Sequence, residues 1–111
     1  MDNIKNDAYY IKKMPKDIKF IIENTKKISL SELENNEILC DSVMFRLIQI
    51  SESSVKLTSE FKDSHIDIPW QSIKGMRNRI VHEYGNVEFD IVYQTITEDI
   101  PIICNKLDNL V

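Results

Sequence analysis

Between its only two glycines the 111-residue chain carries the stretch GMRNRIVHEYG, residues 75 to 85. Arg77, Asn78, Arg79, His82 and Tyr84 fall inside it, Lys74 precedes it, and Glu83 alone opposes the cations. These residue types suit cleavage of a phosphodiester without a metal. A histidine with an ordinary pKa of about 6.5 can take a proton from a ribose 2′-hydroxyl, or return one to a leaving oxygen, near neutral pH. An arginine presents a planar fork of donors that matches non-bridging phosphate oxygens and stabilises charge developing on them. Arg77 and His82 are therefore the candidate catalytic pair, with Asn78 as a supporting polar group and Lys74 and Arg79 as local attraction.

Spacing alone leaves this open. Five residues at 3.6 per turn set Arg77 and His82 about 140° apart around a regular helix. They converge only if the helix ends near His82 and the chain turns at Glu83 to Gly85. A second reading of the same residues is a helix C-terminus, where cations offset the dipole and donate to unpaired carbonyls.

The elements that must position these residues follow from composition and periodicity. With 42% hydrophobic and 29% charged residues, two glycines and three prolines, the chain suits one soluble domain, residues 1–111, with little turn material for short strands. The fold class expected is all-α. A formal charge of -4 excludes wholesale coating of nucleic acid and makes any such contact local. Cys40 and Cys104 lack metal spacing and read as reduced core thiols. Neither a signal segment nor an apolar run of about 20 residues is present, so a cytoplasmic protein without membrane contact is expected.

Ile4, Ala8, Ile11, Ile18, Ile22 and Thr25 form a first helical stripe, with Pro15 expected to kink or break it near Lys13 and Met14. Ser29, Ser31 and Asn36 are plausible N-caps in the connection that follows. A central helix then starts near Asn36, with Leu39, Val43, Leu47, Ile50, Ser54, Leu57 and Phe61 in its row, and ends in KDSHIDIP. Pro69 opens a third helix running from about Trp70 to about His82, and Gly85 suits a left-handed stop. The last helix carries Phe89, Val92, Ile96, Ile100, Ile103, Leu107 and Leu110 on one face, with Pro101 bending it. Together these read as an up-and-down four-helix bundle.

The order of motifs adds a resemblance. IPW at Ile68 to Trp70, then IKGMRNRIVHEYG, then EDIP at Glu98 to Pro101, resembles the HepT-like branch of the HEPN superfamily, whose signature is R-x4-H-x-Y. Arg77, His82 and Tyr84 occupy those positions. CDSVMFRLIQISE is similar to that family's second helix, with Asp41 and Glu52 where acidic residues are usual and Ser51 where glycine is frequent. The resemblance spans about Ile18 to Leu107. It implies a helical bundle that dimerises so that two R-x4-H motifs face one cleft, and a ribonuclease toxin of a toxin-antitoxin system. It implies RNA as substrate, no cofactor, and a small MntA-type nucleotidyltransferase antitoxin that places AMP on Tyr84. Some members bind nucleotides or partners without cleaving RNA.

Other polar and aromatic residues read as structural. His65 is expected in a solvated connection, Trp70 as a core anchor ahead of a base-stacking platform, and one of Tyr9 and Tyr10 packed inward. Glu88, Asp90, Glu98 and Asp99 have no ligand spacing, and no metal is expected.

Overall fold

The computed structural model describes residues 6–80 and 88–110. Every regular element within them is helical: α1 (Asp7–Asn24), α2 (Leu30–Asn35), α3 (Glu37–Lys56), α4 (Ser59–Asp63), α5 (Trp70–Ile80), α6 (Phe89–Gln94), a π-helical turn (Thr95–Asp99) and α7 (Ile100–Asp108). Four rods make the expected bundle: α1, α3, α5 and the composite of α6, the π turn and α7. α3 packs against both α1 and α5, while α7 returns to α1. Met14, Ile18, Ile21, Val43, Leu47, Ile50, Ile73, Val92, Ile100 and Leu107 fill the interior between them. No described helix is long and apolar enough to cross a membrane.

Of the kink or break expected near Lys13 and Met14, a break does not occur: α1 runs as one helix through Pro15. Proline deprives the Ile11 carbonyl of its helical donor. Met14, Asp17, Ile18 and Ile21 nevertheless lie buried on one face, and that packing holds the two halves in one helix.

Between α1 and α3 the sequence hides a short helix. Ser29 and Glu32 form a capping box on α2: the Glu32 N–H donates to Ser29 Oγ (3.1 Å), and the Ser29 N–H donates to Glu32 Oε1 (2.9 Å). Asn36 caps α3 by accepting from the Leu39 N–H, as expected, whereas Ser31 lies inside α2 and caps nothing. The Ser29 N–H and hydroxyl hold the Glu32 carboxyl below the ordinary glutamate range. A carboxyl lowered in the folded state stabilises fully above its unfolded pKa, and that support is lost as pH falls through the lowered value. Ser29→Ala removes the N-cap of α2 and should lower stability near neutral pH. Urea unfolding at neutral and acidic pH should show this penalty shrinking on acidification.

The central helix ends earlier than its apolar row suggests. α3 stops at Lys56 because Leu57 turns extended, with φ -69° and ψ 145°, and buries its side chain. Thr58 then caps a separate helix, α4, by accepting from the Phe61 N–H (3.2 Å). The Thr58 N–H and hydroxyl both donate to the Asp7 carboxylate, at 2.9 and 2.7 Å, which ties this corner to the start of α1. Leu57 and Phe61 thus reach the core from a corner and a second helix.

At the other end of the bundle, Pro101 acts through the turn before it. The Ile100 N–H reaches back five residues to the Thr95 carbonyl, and Pro101 has no N–H to continue the ladder. The hydroxyls of Thr95 and Thr97 bond the Ile91 and Tyr93 carbonyls at 2.7 and 2.8 Å. Cys40 is buried in the core, but Cys104 is only half-buried and faces Asp108. Burial raises both thiol pKa values, with a neighbouring carboxylate adding to it in each case.

Candidate functional site

α5 carries the described part of the site. Its inner row, Ile73 and Met76, is buried against the core, which leaves Lys74, Arg77 and Asn78 exposed on the side facing α3. The two helices are fixed to one another by the Ser51 hydroxyl, which donates to the Lys74 carbonyl at 2.9 Å; Ser54 Oγ in turn donates to the Ser51 carbonyl at 2.6 Å. Ser51 stands at the position where glycine was expected to be frequent, and its hydroxyl does a packing job that glycine cannot.

The two helices enclose a groove of about 500 Å³ lined by Ser51, Glu52, Val55, Lys56, Lys74, Arg77 and Asn78. No described residue forms an ion pair or hydrogen bond with the Arg77, Lys56 or Asn78 side chains, and none pairs with the Lys74 ammonium. Two lysines and an arginine thus meet one carboxylate, Glu52, across an open groove. The arrangement suits an anion with several oxygens: the Arg77 guanidinium can take two of them at once, with no internal pair to break first.

Arg79 does not share this groove. It is half-buried on another side of α5, lining a hollow with Pro69, Asp99 and Ile102. Gly75 makes room for it, since a Cβ there would stand 3.2 Å from Arg79 Nη1. Local attraction therefore comes from Lys74 and Lys56, the latter displayed by α3 four residues after Glu52. His82 and Tyr84 lie outside the described residues, as does the turn expected at Glu83 to Gly85.

The family model described as ribonuclease HepT-like matches residues 14–110. The chain belongs to the HepT-like ribonuclease family. A protein named as an RNase from Caldanaerobacter subterraneus subsp. tengcongensis is 32% identical over 98 residues, 88% of each chain. A protein named ribonuclease HepT from Thermococcus cleftensis is 30% identical over 106 residues, 91% of this chain and 92% of its own. One from Methanocaldococcus jannaschii, also named as an RNase, is 28% identical over 88 residues, 79% of this chain and 81% of its own. No solved structure matches.

The remaining singled-out residues of this HepT-like chain are structural supports. Trp70 is the anchor expected of it: its indole N–H donates to the Lys62 and His65 carbonyls, at 3.2 and 3.0 Å, fastening the α4 corner to the start of α5. His65 is not a solvated loop residue. Its ring stacks on Phe61, with centroids 4.4 Å apart, and its Nδ1 lies 2.9 Å from the Phe61 carbonyl. Tyr10 packs against the core while Tyr9 is the more exposed of the pair. Among the described residues no three His, Cys, Asp or Glu side chains group as metal ligands.

Sequence singled out Ser51 and Glu52 on the α3 wall, but not the rest of it. Val55 and Lys56 join Glu52 there, and the signal was available, since Glu52 and Lys56 are four apart on one helix and so share a face.

Proposed function

We propose that this HepT-like chain is an endoribonuclease toxin that cuts RNA without a metal. Its Arg77 and His82 work in a cleft between two copies, and AMP placed on Tyr84 by an MntA-type nucleotidyltransferase antitoxin silences it. The observation that carries this reading is the Arg77 guanidinium, exposed on an open groove beside Lys74 and Asn78 with no described partner. His82 removes the proton of a ribose 2′-hydroxyl, and the oxygen attacks the adjacent phosphorus. The bond to the 5′-oxygen breaks and that oxygen takes up a proton, leaving a 2′,3′-cyclic phosphate. Arg77 holds the non-bridging oxygens as their charge grows, and Asn78 supports the phosphate.

Two features support pairing of copies. The groove is open to solvent, so one copy covers a phosphodiester on one side only. Phe45 and Val55 of α3, 58% and 53% exposed, offer apolar surface on the helix that walls the groove. AMP on Tyr84 would set a bulky anion two residues from His82, repelling RNA and engaging Arg77.

The test combines mass and activity. Co-expression with a nucleotidyltransferase encoded beside this gene should add one AMP, mapped to Tyr84. The unmodified protein should cleave cellular RNA in the presence of EDTA, and the modified protein should not. Saturable nucleotide binding abolished by Arg77→Ala, with no cleavage of any RNA, would instead establish a non-catalytic HEPN module.

A further inference from the structure

A second pocket lies against the first. It measures about 510 Å³, within the roughly 300–1,000 Å³ typical of small-ligand sites. It is bounded by the end of α3, by α4 and by the start of α5, and Val55 and Lys74 line both it and the Arg77 groove. The two are thus neighbouring compartments of one surface, with Val55 and Lys74 at their boundary.

Both linings mix polar and apolar side chains. Beyond Val55 and Lys74, which they share, the Arg77 groove holds charged and polar side chains, whereas the second pocket adds the apolar Ile66, Ile68, Pro69 and Trp70 to Lys62, Asp63, Gln71 and three serines. Ile66 is 84% exposed on the turn between α4 and α5, an arrangement that burial in this chain does not explain. Trp70 has its N–H edge fixed by two carbonyls, so its ring plane is set before any ligand arrives. Lys62 is held at the rim by its bond to the Ser54 carbonyl, 3.1 Å away.

We propose that this pocket is a base subsite, receiving the nucleobase next to the phosphate held by Arg77. Lys74 then bridges the two compartments, contacting the strand's phosphate between them. The Trp70 indole favours a base by stacking and its aliphatic neighbours by burial, and Gln71 offers a donor and an acceptor to its edge. The inference rests on the ribonuclease reading above and deepens it by giving the groove a polarity along the strand.

The test is single-stranded RNA binding by His82→Ala protein lacking AMP on Tyr84, measured by fluorescence anisotropy. The probes are an RNA dodecamer and a strand of equal length made of abasic spacers. In that background Ile66→Asn and Gln71→Ala should each weaken the dodecamer about fivefold or more and leave the abasic strand unchanged. Ile66 is almost wholly exposed, so its variant folds, and the neutral asparagine adds no charge repulsion. Unchanged affinity for both probes would overturn the subsite while leaving RNA binding in place. Equal weakening on the abasic strand would overturn it too, because the pocket would then be sensing backbone alone. Absence of any RNA binding by the His82→Ala parent would remove the ribonuclease reading and the subsite with it.

Discussion

Arg77→Ala should lower the rate of RNA cleavage by about a hundredfold or more, and it should do so while leaving unfolding by heat or urea nearly unchanged. The first half follows from the role of a guanidinium that meets charge only as it develops, for which removal of one donor costs roughly 10²–10³ in rate. The second half follows from the structure. Arg77 is exposed and has no described partner, so its truncation breaks no described hydrogen bond or ion pair, and a change within about 0.5 kcal/mol is expected. His82→Ala should lose roughly 10²–10⁴ in rate as a general base or acid is removed. The pair of readouts separates function from the alternative that these cations merely cap a helix. If Arg77→Ala loses stability in proportion to any loss of activity, the capping account is right and the catalytic one is not.

Arg46→Ala should be the most damaging single change to the fold outside the apolar core, at about 3 kcal/mol. Asp17 is the reason. Its side chain is only 5% exposed, and its two oxygens are held by Arg46 Nη1 at 2.8 Å and Lys13 Nζ at 2.7 Å. Lys13 also donates to Gln49 Oε1 at 2.9 Å, and the Arg46 guanidinium lies 4.0 Å from the centre of the Phe20 ring. Removing Arg46 leaves a buried carboxylate with half its partners and strips the cation from the ring. Asp17→Asn should cost less, because both cations are about a third exposed and can return to water. Urea unfolding of the two variants and of Lys13→Ala measures this directly. A loss under about 1 kcal/mol for Arg46→Ala would place the network among solvent-screened surface pairs.

Much of the bundle was legible because long amphipathic rows have a period that only a helix satisfies. Val43, Leu47 and Ile50 are buried as their spacing requires, and Asn36 caps where its side chain can accept. The less legible places lie where two local forces compete. Pro15 argued for a kink or a break, and burial of Met14 and Ile18 on either side keeps α1 one helix despite the lost hydrogen bond. Leu57 and Phe61 fit the α3 row by spacing, yet Thr58 offered a new cap and the chain took it. The π-helical turn before Pro101 leaves no trace in the pattern of apolar residues, since Ile96 and Ile100 are buried either way. The Asp17 network was illegible for another reason: Arg46 stands 29 residues from Asp17 and Gln49 36 residues from Lys13, and no local rule connects them.

For the site, sequence named Arg77, Asn78 and Lys74, which the fold brings to one groove. It also enlisted Arg79, which the helix turns elsewhere. Residue type announces a cation, but only the angle around α5 decides which wall it serves. The α3 side was missed in part because the eye follows the motif along one helix, whereas the groove has two.

The Ser51 hydroxyl on the Lys74 carbonyl fixes more than a helix contact. It indexes α3 against α5, so that neither can slip by a residue or roll without breaking a bond whose acceptor is a residue of the groove itself. The described width of the groove is therefore inherited from the core and exists before any strand arrives. A binder of this kind spends little of its interaction free energy on ordering its own walls.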